Sequence, residues 1–305
     1  MYALAIHGGA GNIDPNIEQE AYLVTLDNAV NAGHQILEKG GTATNAVCAS
    51  ITVLENSPLF NAGHGAVFNH DGDIQLDASL MEGNTQNAGA VCAVRTVKNP
   101  ILAAQKILEH SPHVLLTTDG AEAFSKAQGL EMVENSYFHT ERRYAQLKQA
   151  QSSGKIQLDF ADDETDDGQA PGTVGAVALD KNGLLAAGTS TGGLTNKAVG
   201  RVGDTPLVGA GTYAHNDICA ISCTGTGDEI TRIVMAYDIA CQMQYQDRSI
   251  EDACQITLDK LAAIEGVGGL ISITADGQIH MPFNSRGMFR GSRNDKDVEN
   301  NIAIF

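Results

Sequence analysis

Tryptophan is absent from this 305-residue chain, and basic side chains are scarce: 19 Lys+Arg stand against 37 Asp+Glu, a formal net charge of −18. A surface of that sign repels phosphate backbones and anionic headgroups, which argues against nucleic acid or membrane as partners. Disulfide and metal signatures are missing too. The six cysteines, at 48, 92, 219, 223, 241 and 254, contain no CxxC and fall far below the density of a disulfide scaffold. Reduced thiols in a cytoplasmic protein are the expectation. Cys219 and Cys223 share a face of an expected strand without further metal-ligand spacing, and none of the nine histidines is paired on a helix face, so no transition-metal site is expected. No apolar run approaches the roughly 18 residues of a membrane span. Met1 to Ile6 lacks the basic start and long apolar core of a targeting segment.

Glycine is abundant instead, at 33 residues, which points to tight turns and close backbone approaches. Residues 2–7 predict a strand that breaks at Gly8-Gly9-Ala10-Gly11. Helical periodicity spans 17–39 and 42–55, with Gly40-Gly41 as the stop between them. Residues 74–80 and 87–97 predict strands, Pro100 opens a helix, and helical patterns fit about 119–128 and 138–152. Residues 152–172 change texture, with Asp159, Asp162, Asp163, Glu164, Asp166 and Asp167 among Ser, Gly and Gln: a flexible acidic linker. A loop of that length inside a compact domain usually means function or disorder. Strands follow at 172–180, 184–191, 207–214, 217–223, 268–275 and 278–283, with helices at 227–244 and 249–264. Helices crowd the first half and hairpin-like strands the second, which predicts one α+β domain, a largely antiparallel sheet covered by helices.

Thr173 stands directly after the acidic linker. Gly172 before it tolerates backbone geometry no other residue does, which suits a strained peptide bond. If the 172–173 bond breaks, Thr173 gains a free α-amine with a pKa of about 7.7–8.0, beside its own hydroxyl. One residue then supplies both nucleophile and base. The turn at Lys181-Asn182-Gly183 adds a second threonine. Pairing symmetric about Asn182 puts Thr191 opposite Thr173, where its hydroxyl can support the attacking oxygen. Arg201 and Asp204 lie three apart in a glycine-punctuated loop. Arg can hold an α-carboxylate as a fork and Asp can pair with an α-ammonium, although a surface ion pair gives the same spacing.

The chain resembles the plant-type L-asparaginases, or isoaspartyl peptidases, of the N-terminal-nucleophile hydrolases. The resemblance runs nearly end to end, through His7 to Gly11 (HGGAG), Asn61 to Gly63, Leu76 to Ala78, Gly172 to Gly175 (GTVG) and Thr189 to Gly193 (TSTGG). It continues through Asn196-Lys197, Gly200 to Asp204 (GRVGD), Thr224 to Gly227 (TGTG) and Gly268-Gly269. It implies a four-layer αββα sandwich cut into an α subunit (1–172) and a β subunit (173–305), which pair as a dimer of αβ heterodimers. The implied reaction is hydrolysis of L-asparagine and β-aspartyl dipeptides by Thr173, supported by Thr191, with no organic cofactor. The resemblance also assigns an oxyanion hole to the Thr224 hydroxyl and the Gly225 N–H, the substrate end to Gly227, and a place near the nucleophile to Asn61. Backbone carbonyls of Leu54, Glu55, Ser57, Phe60, Ala62 and His64 would hold a sodium ion, a loop without an ion being the alternative. His7 is read as a structural residue beside a turn. Gly172 and Val174 around the nucleophile set the chain apart from glycosylasparaginases, which carry Asp and Ile there.

A rival pattern exists. Gly188-Thr189-Ser190-Thr191-Gly192 matches G-x-S-x-G, and a serine hydrolase would use Ser190 with Asp204 or Asp217 and His215 or His280. That elbow requires a helix straight after its last glycine, and the sequence from Gly193 onward does not favour one.

Overall fold

Strand β1 (Ala3–Gly11) is buried along its whole length, and its side chains alternate between two apolar cores. The structure, a computed structural model, describes residues 1–153 and 172–305. Of the linker expected at 152–172, residues 154–171 therefore lie outside the described residues. After β1 come helices α1 (Glu20–Glu38) and α2 (Ala43–Glu55), strands β2 (Leu76–Glu82) and β3 (Ala88–Val94), helix α3 (Pro100–His110), strand β4 (Leu115–Thr117), and helices α4 (Thr118–Ala127) and α5 (Glu141–Ser153). Beyond the linker run β5 (Val174–Leu179), β6 (Leu185–Thr191), β7 (Thr212–His215), β8 (Cys219–Gly225), helices α6 (Gly227–Ile233), α7 (Met235–Gln246) and α8 (Ile250–Ala263), then β9 (Gly268–Thr274), β10 (Ile279–His280), β11 (Gly287–Asn294) and β12 (Asn301–Ala303).

The strands form an eight-stranded sheet, in the order β12-β11-β1-β5-β6-β2-β3-β4, and a four-stranded sheet, β10-β9-β8-β7. Every pairing is antiparallel except β3 with β4, so the α+β expectation holds. Period-two alternation divides the large sheet. Leu4, Ile6, Val174, Ala176 and Ala178 pack into one core with residues of α1, α2 and α3. Ala3, Ala5, Val177, Leu179 and Ala187 pack into the other with β8, β9, α7 and α8. All six cysteines are free, and Cys219 and Cys223 are buried in this second core.

Local signals place most elements. Thr42 caps α2 by accepting from Asn45 N at 3.3 Å, and Ser249 caps α8 by accepting from Asp252 N at 3.1 Å. Asp180 accepts from the N–H groups of Asn182 and Leu184, which fixes the β5–β6 turn. Four expectations need correction. β1 does not break at Gly8 but continues to Gly11 through a bulge between His7 and Gly9, where Gly9 takes φ +109. The helix expected over 227–244 is two helices, because Val234 adopts a left-handed φ of 51. The strand expected over 207–214 begins only at Thr212, since turns closed onto Asp204 O and Leu207 O occupy the residues before it. The partly polar β11, which pairs with β1 from the far end of the chain, was not expected at all. No described helix is long and apolar enough to cross a membrane.

Candidate active site

The β5–β6 hairpin brings the two threonines together. Its register runs from Leu179 opposite Leu185 to Val174 opposite Ser190, symmetric about Asn182 as the turn predicts. One step further, Thr173 Oγ1 donates to Thr191 Oγ1 at 3.1 Å. Thr191 Oγ1 also accepts from the Gly193 N–H at 3.0 Å, so a backbone group fixes its orientation. Both threonines are buried. Gly172 packs directly against β1, where a Cβ on Gly9 would lie 2.2 Å from Gly172 N. Only glycine serves at position 9, for space and for its positive φ.

Asn61 braces the end of β6. Its Nδ2 donates to Gly193 O at 2.7 Å, its Oδ1 accepts from Val67 N at 3.0 Å, and its own carbonyl accepts from Gly192 N. Thr224, at the end of β8, meets β1 from the other side: its Oγ1 accepts from Ala10 N at 3.4 Å. Gly225 follows with φ +139, against Val267 O. β1 thus contacts both Gly172 and Thr224.

The Arg201/Asp204 pair sits where Gly193, Gly203, Gly211 and Gly227 leave room. A Cβ on Gly227 would lie 2.7 Å from Asp204 Oδ1 and 3.0 Å from Arg201 Nη2, and one on Gly193 would lie 3.3 Å from Arg201 Nη1. Gly193 therefore touches both Thr191 and the guanidinium. Asp204 Oδ2 and Arg201 Nε are buried with no hydrogen-bond partner among the described residues. Burial pushes the Asp204 carboxyl up to about 7, although the nearby Arg201 opposes the shift. Buried polar atoms usually find partners, so these two unpartnered atoms beside glycines mark a candidate ligand site. The sequence reading missed Asp228, which bonds Arg201 Nη2 at 2.6 Å from the first turn of α6.

Ser190 points to the other face of β6. Its hydroxyl donates to Glu55 Oε1 at 2.7 Å, and Glu55 also accepts from Ile101 N and Asn99 Nδ2. No helix follows Gly192, so the nucleophile elbow is absent. The loop after α2 turns carbonyls inward: Glu55 O lies 2.3 Å from where a Cβ on Gly63 would stand, and Phe60 O 2.2 Å from one on Gly65. Leu54 O and Ala62 O accept from Ser57 N and Gly65 N. The His64 side chain bonds Tyr137 O instead.

Known proteins match this chain in sequence over nearly its whole length. The isoaspartyl peptidase of Salmonella typhimurium is 49% identical over 292 residues, covering 94% of this chain and 93% of the relative. The isoaspartyl peptidase of Escherichia coli is 49% identical, with 94% and 91% covered. The isoaspartyl peptidase/L-asparaginase of Mus musculus is 42% identical, with 93% and 86% covered. The sequence profile of the family described as asparaginase matches residues 1–303, so the chain belongs to the asparaginase family.

Proposed function

We propose that this chain is an amidohydrolase activated by its own cleavage between Gly172 and Thr173, and that it hydrolyses L-asparagine and β-aspartyl dipeptides. The observation that carries the reading is the Thr173–Thr191 contact beside a half-satisfied Arg201/Asp204 pair. In activation, Thr173 Oγ attacks the Gly172 carbonyl carbon, the C–N bond breaks, and the amine takes up the proton. Water then hydrolyses the ester, which leaves a Gly172 carboxylate and a free Thr173 amine. In turnover that amine accepts the hydroxyl proton as Oγ attacks the substrate amide and then protonates the leaving group. Water hydrolyses the resulting acyl ester, which releases the acid and restores the Thr173 hydroxyl. In the resting site Thr191 accepts from the Thr173 hydroxyl, before that proton turns to the amine. The Thr224 hydroxyl and Gly225 N–H stabilise the oxyanion, a contribution of about 3–4 kcal/mol in such sites. Arg201 takes the α-carboxylate and Asp204 the α-ammonium, with Gly227 leaving space for the backbone of the substrate.

The two cores on opposite faces of the large sheet support an αββα sandwich. β1 of the first fragment lies between β11 and β5 of the second, which would hold the fragments in one αβ unit after cleavage. Two such units paired is the assembly we propose. A sodium ion held by the backbone carbonyls of Leu54, Glu55, Ser57, Phe60, Ala62 and His64 is part of this reading, and the close approach of Glu55 O and Phe60 O to the glycines at 63 and 65 supports it. Such an ion would stiffen the loop behind Asn61 and take no part in the chemistry.

The variants Thr173→Ala and Ser190→Ala test the reading through ammonia release from L-asparagine and aspartate release from a β-aspartyl dipeptide. Thr173→Ala should be uncleaved and inactive, and Ser190→Ala cleaved and active. The reverse pattern overturns it.

A further inference from the structure

The β1–β5 ladder runs from Ala3 opposite Leu179 to His7 opposite Gly175 and stops there. The bulge after His7 carries β1 out of register, so no ladder N–H continues toward Thr173. A side chain takes its place: His7 Nδ1 lies 3.0 Å from Thr173 O. A carbonyl only accepts, so Nδ1 carries the proton in that bond. Burial pushes the His7 imidazolium down to about 3, which leaves a neutral ring with a single N–H. Nε2 must then accept, and Ser222 Oγ stands 2.9 Å away to donate. Ser222 Oγ lies 2.7 Å from Thr189 Oγ1, which meets Thr212 Oγ1, and Ser79 Oγ donates to Thr212 Oγ1 at 2.8 Å.

All five residues of this relay between the sheets, His7, Ser222, Thr189, Thr212 and Ser79, are fully buried. An apolar core would pack as well, so a hydrogen-bonded polar chain at this depth sets geometry more than it adds stability. Gly175 makes room for it. A Cβ there would stand 2.1 Å from Ser222 Oγ and 2.4 Å from His7 Nε2. The third residue of the Thr-Val-Gly segment is thereby explained by the pair it clears space for.

We propose that His7 is a positioning residue for the nucleophile: its Nδ1–H holds the Thr173 carbonyl and so sets the amine and Oγ of Thr173 against Thr191, while Ser222 fixes the tautomer that allows it. The inference rests on Thr173 being the nucleophile. Its role is geometric, and misplacing a reacting group by about 1 Å costs on the order of 10²-fold in rate.

The test is kcat and KM on a β-aspartyl dipeptide, expressed per cleaved chain, for His7→Ala, His7→Asn and Ser222→Ala. His7→Ala should lower kcat on the order of 10²-fold with KM within about twofold, because the clamp stands on another loop. Asn, whose Nδ2–H replaces Nδ1–H, should restore about tenfold of that loss. Ser222→Ala should lower kcat about tenfold at unchanged KM, since the opposite tautomer becomes available to the ring. Wild-type kcat in His7→Ala, or equal losses in kcat and affinity with no recovery in His7→Asn, overturns the proposal. If His7→Ala does not fold, Ser222→Ala decides alone, and wild-type kcat there overturns it. Thr173→Ala assayed in parallel separates the two readings. Activity in that variant removes the nucleophile, whereas an inactive Thr173→Ala beside wild-type His7 and Ser222 variants removes only the positioning role.

Discussion

Thr173 and Thr191 face each other one step beyond the last β5–β6 pair, and the hydroxyl of the first donates to that of the second at 3.1 Å. Because Gly193 N–H already occupies one lone pair of Thr191, the second hydroxyl is held in one orientation and not free to swing away. Removing it by Thr191→Val should lower kcat by about 2- to 12-fold, the range expected for losing one neutral hydrogen bond of about 0.5–1.5 kcal/mol. Thr191→Ser should retain most of the rate. Steady-state kinetics of the two variants check this, and equal rates in Thr191→Val and wild type would contradict it.

Arg201 is held by Asp228 yet keeps Nε unpartnered among the described residues, so a bound carboxylate would complete its hydrogen bonding. Arg201→Ala should lower kcat/KM by an amount equivalent to about 2–5 kcal/mol while leaving cleavage after Gly172 intact. Kinetics on cleaved protein check this, and wild-type kcat/KM would make Arg201 a surface residue.

Asp204 carries a pH signature. Its carboxyl, ordinarily at 3.8, is raised to about 7 by burial, so between those values the native state holds a proton that the unfolded chain has released. Stability from this group is therefore full below 3.8 and declines as pH rises through 7. Asp204→Asn, which removes the buried charge, should raise Tm at about pH 8 and give no gain near pH 3.5. The same substitution should depress kcat/KM, and wild-type kcat/KM should fall as pH drops below about 7, where the empty clamp takes up its proton. Thermal melts and a pH–rate profile check both halves. A Tm difference that does not change with pH would contradict the assignment.

The carbonyl cradle makes a separate forecast. Exchange of sodium chloride for choline chloride at equal ionic strength should lower Tm by a few degrees, because a ligand that binds only the folded state stabilises it by mass action. Equal melts in the two salts would contradict the ion site.

The hairpin that pairs Thr173 with Thr191 was legible because every signal for it is local. Asn182-Gly183 marks the turn, small and branched residues run on either side, and the two-residue period fixes which threonine faces which. The clamp was legible as chemistry but not as geometry. Arg and Asp three apart in a glycine-rich loop suggest a carboxylate and an ammonium, yet nothing local says that Asp228, 27 residues on, is Arg201's partner. His7 shows the limit more sharply. Its contacts with Thr173 and Ser222 span 166 and 215 residues, so the sequence supports only a structural residue beside a turn. β11 escaped for the same reason: its pairing with β1 is long-range, and beyond the adjacent Met288 and Phe289 its residues give no apolar alternation. The break at Val234 carries neither glycine nor proline, and the long-range bonds from Ala236 N to Ala210 O and Tyr237 N to Gly209 O that hold the start of α7 leave no local signal.

Intact-mass measurement with N-terminal sequencing tests the central claim most directly. Cleavage after Gly172 divides the 32.0 kDa chain into 172 and 133 residues. Two fragments of roughly 18 and 14 kDa should co-purify, since each of the two cores contains residues of both. The smaller should begin Thr-Val-Gly, and activity should rise in step with its abundance. A single 32.0 kDa chain with full activity would contradict the account.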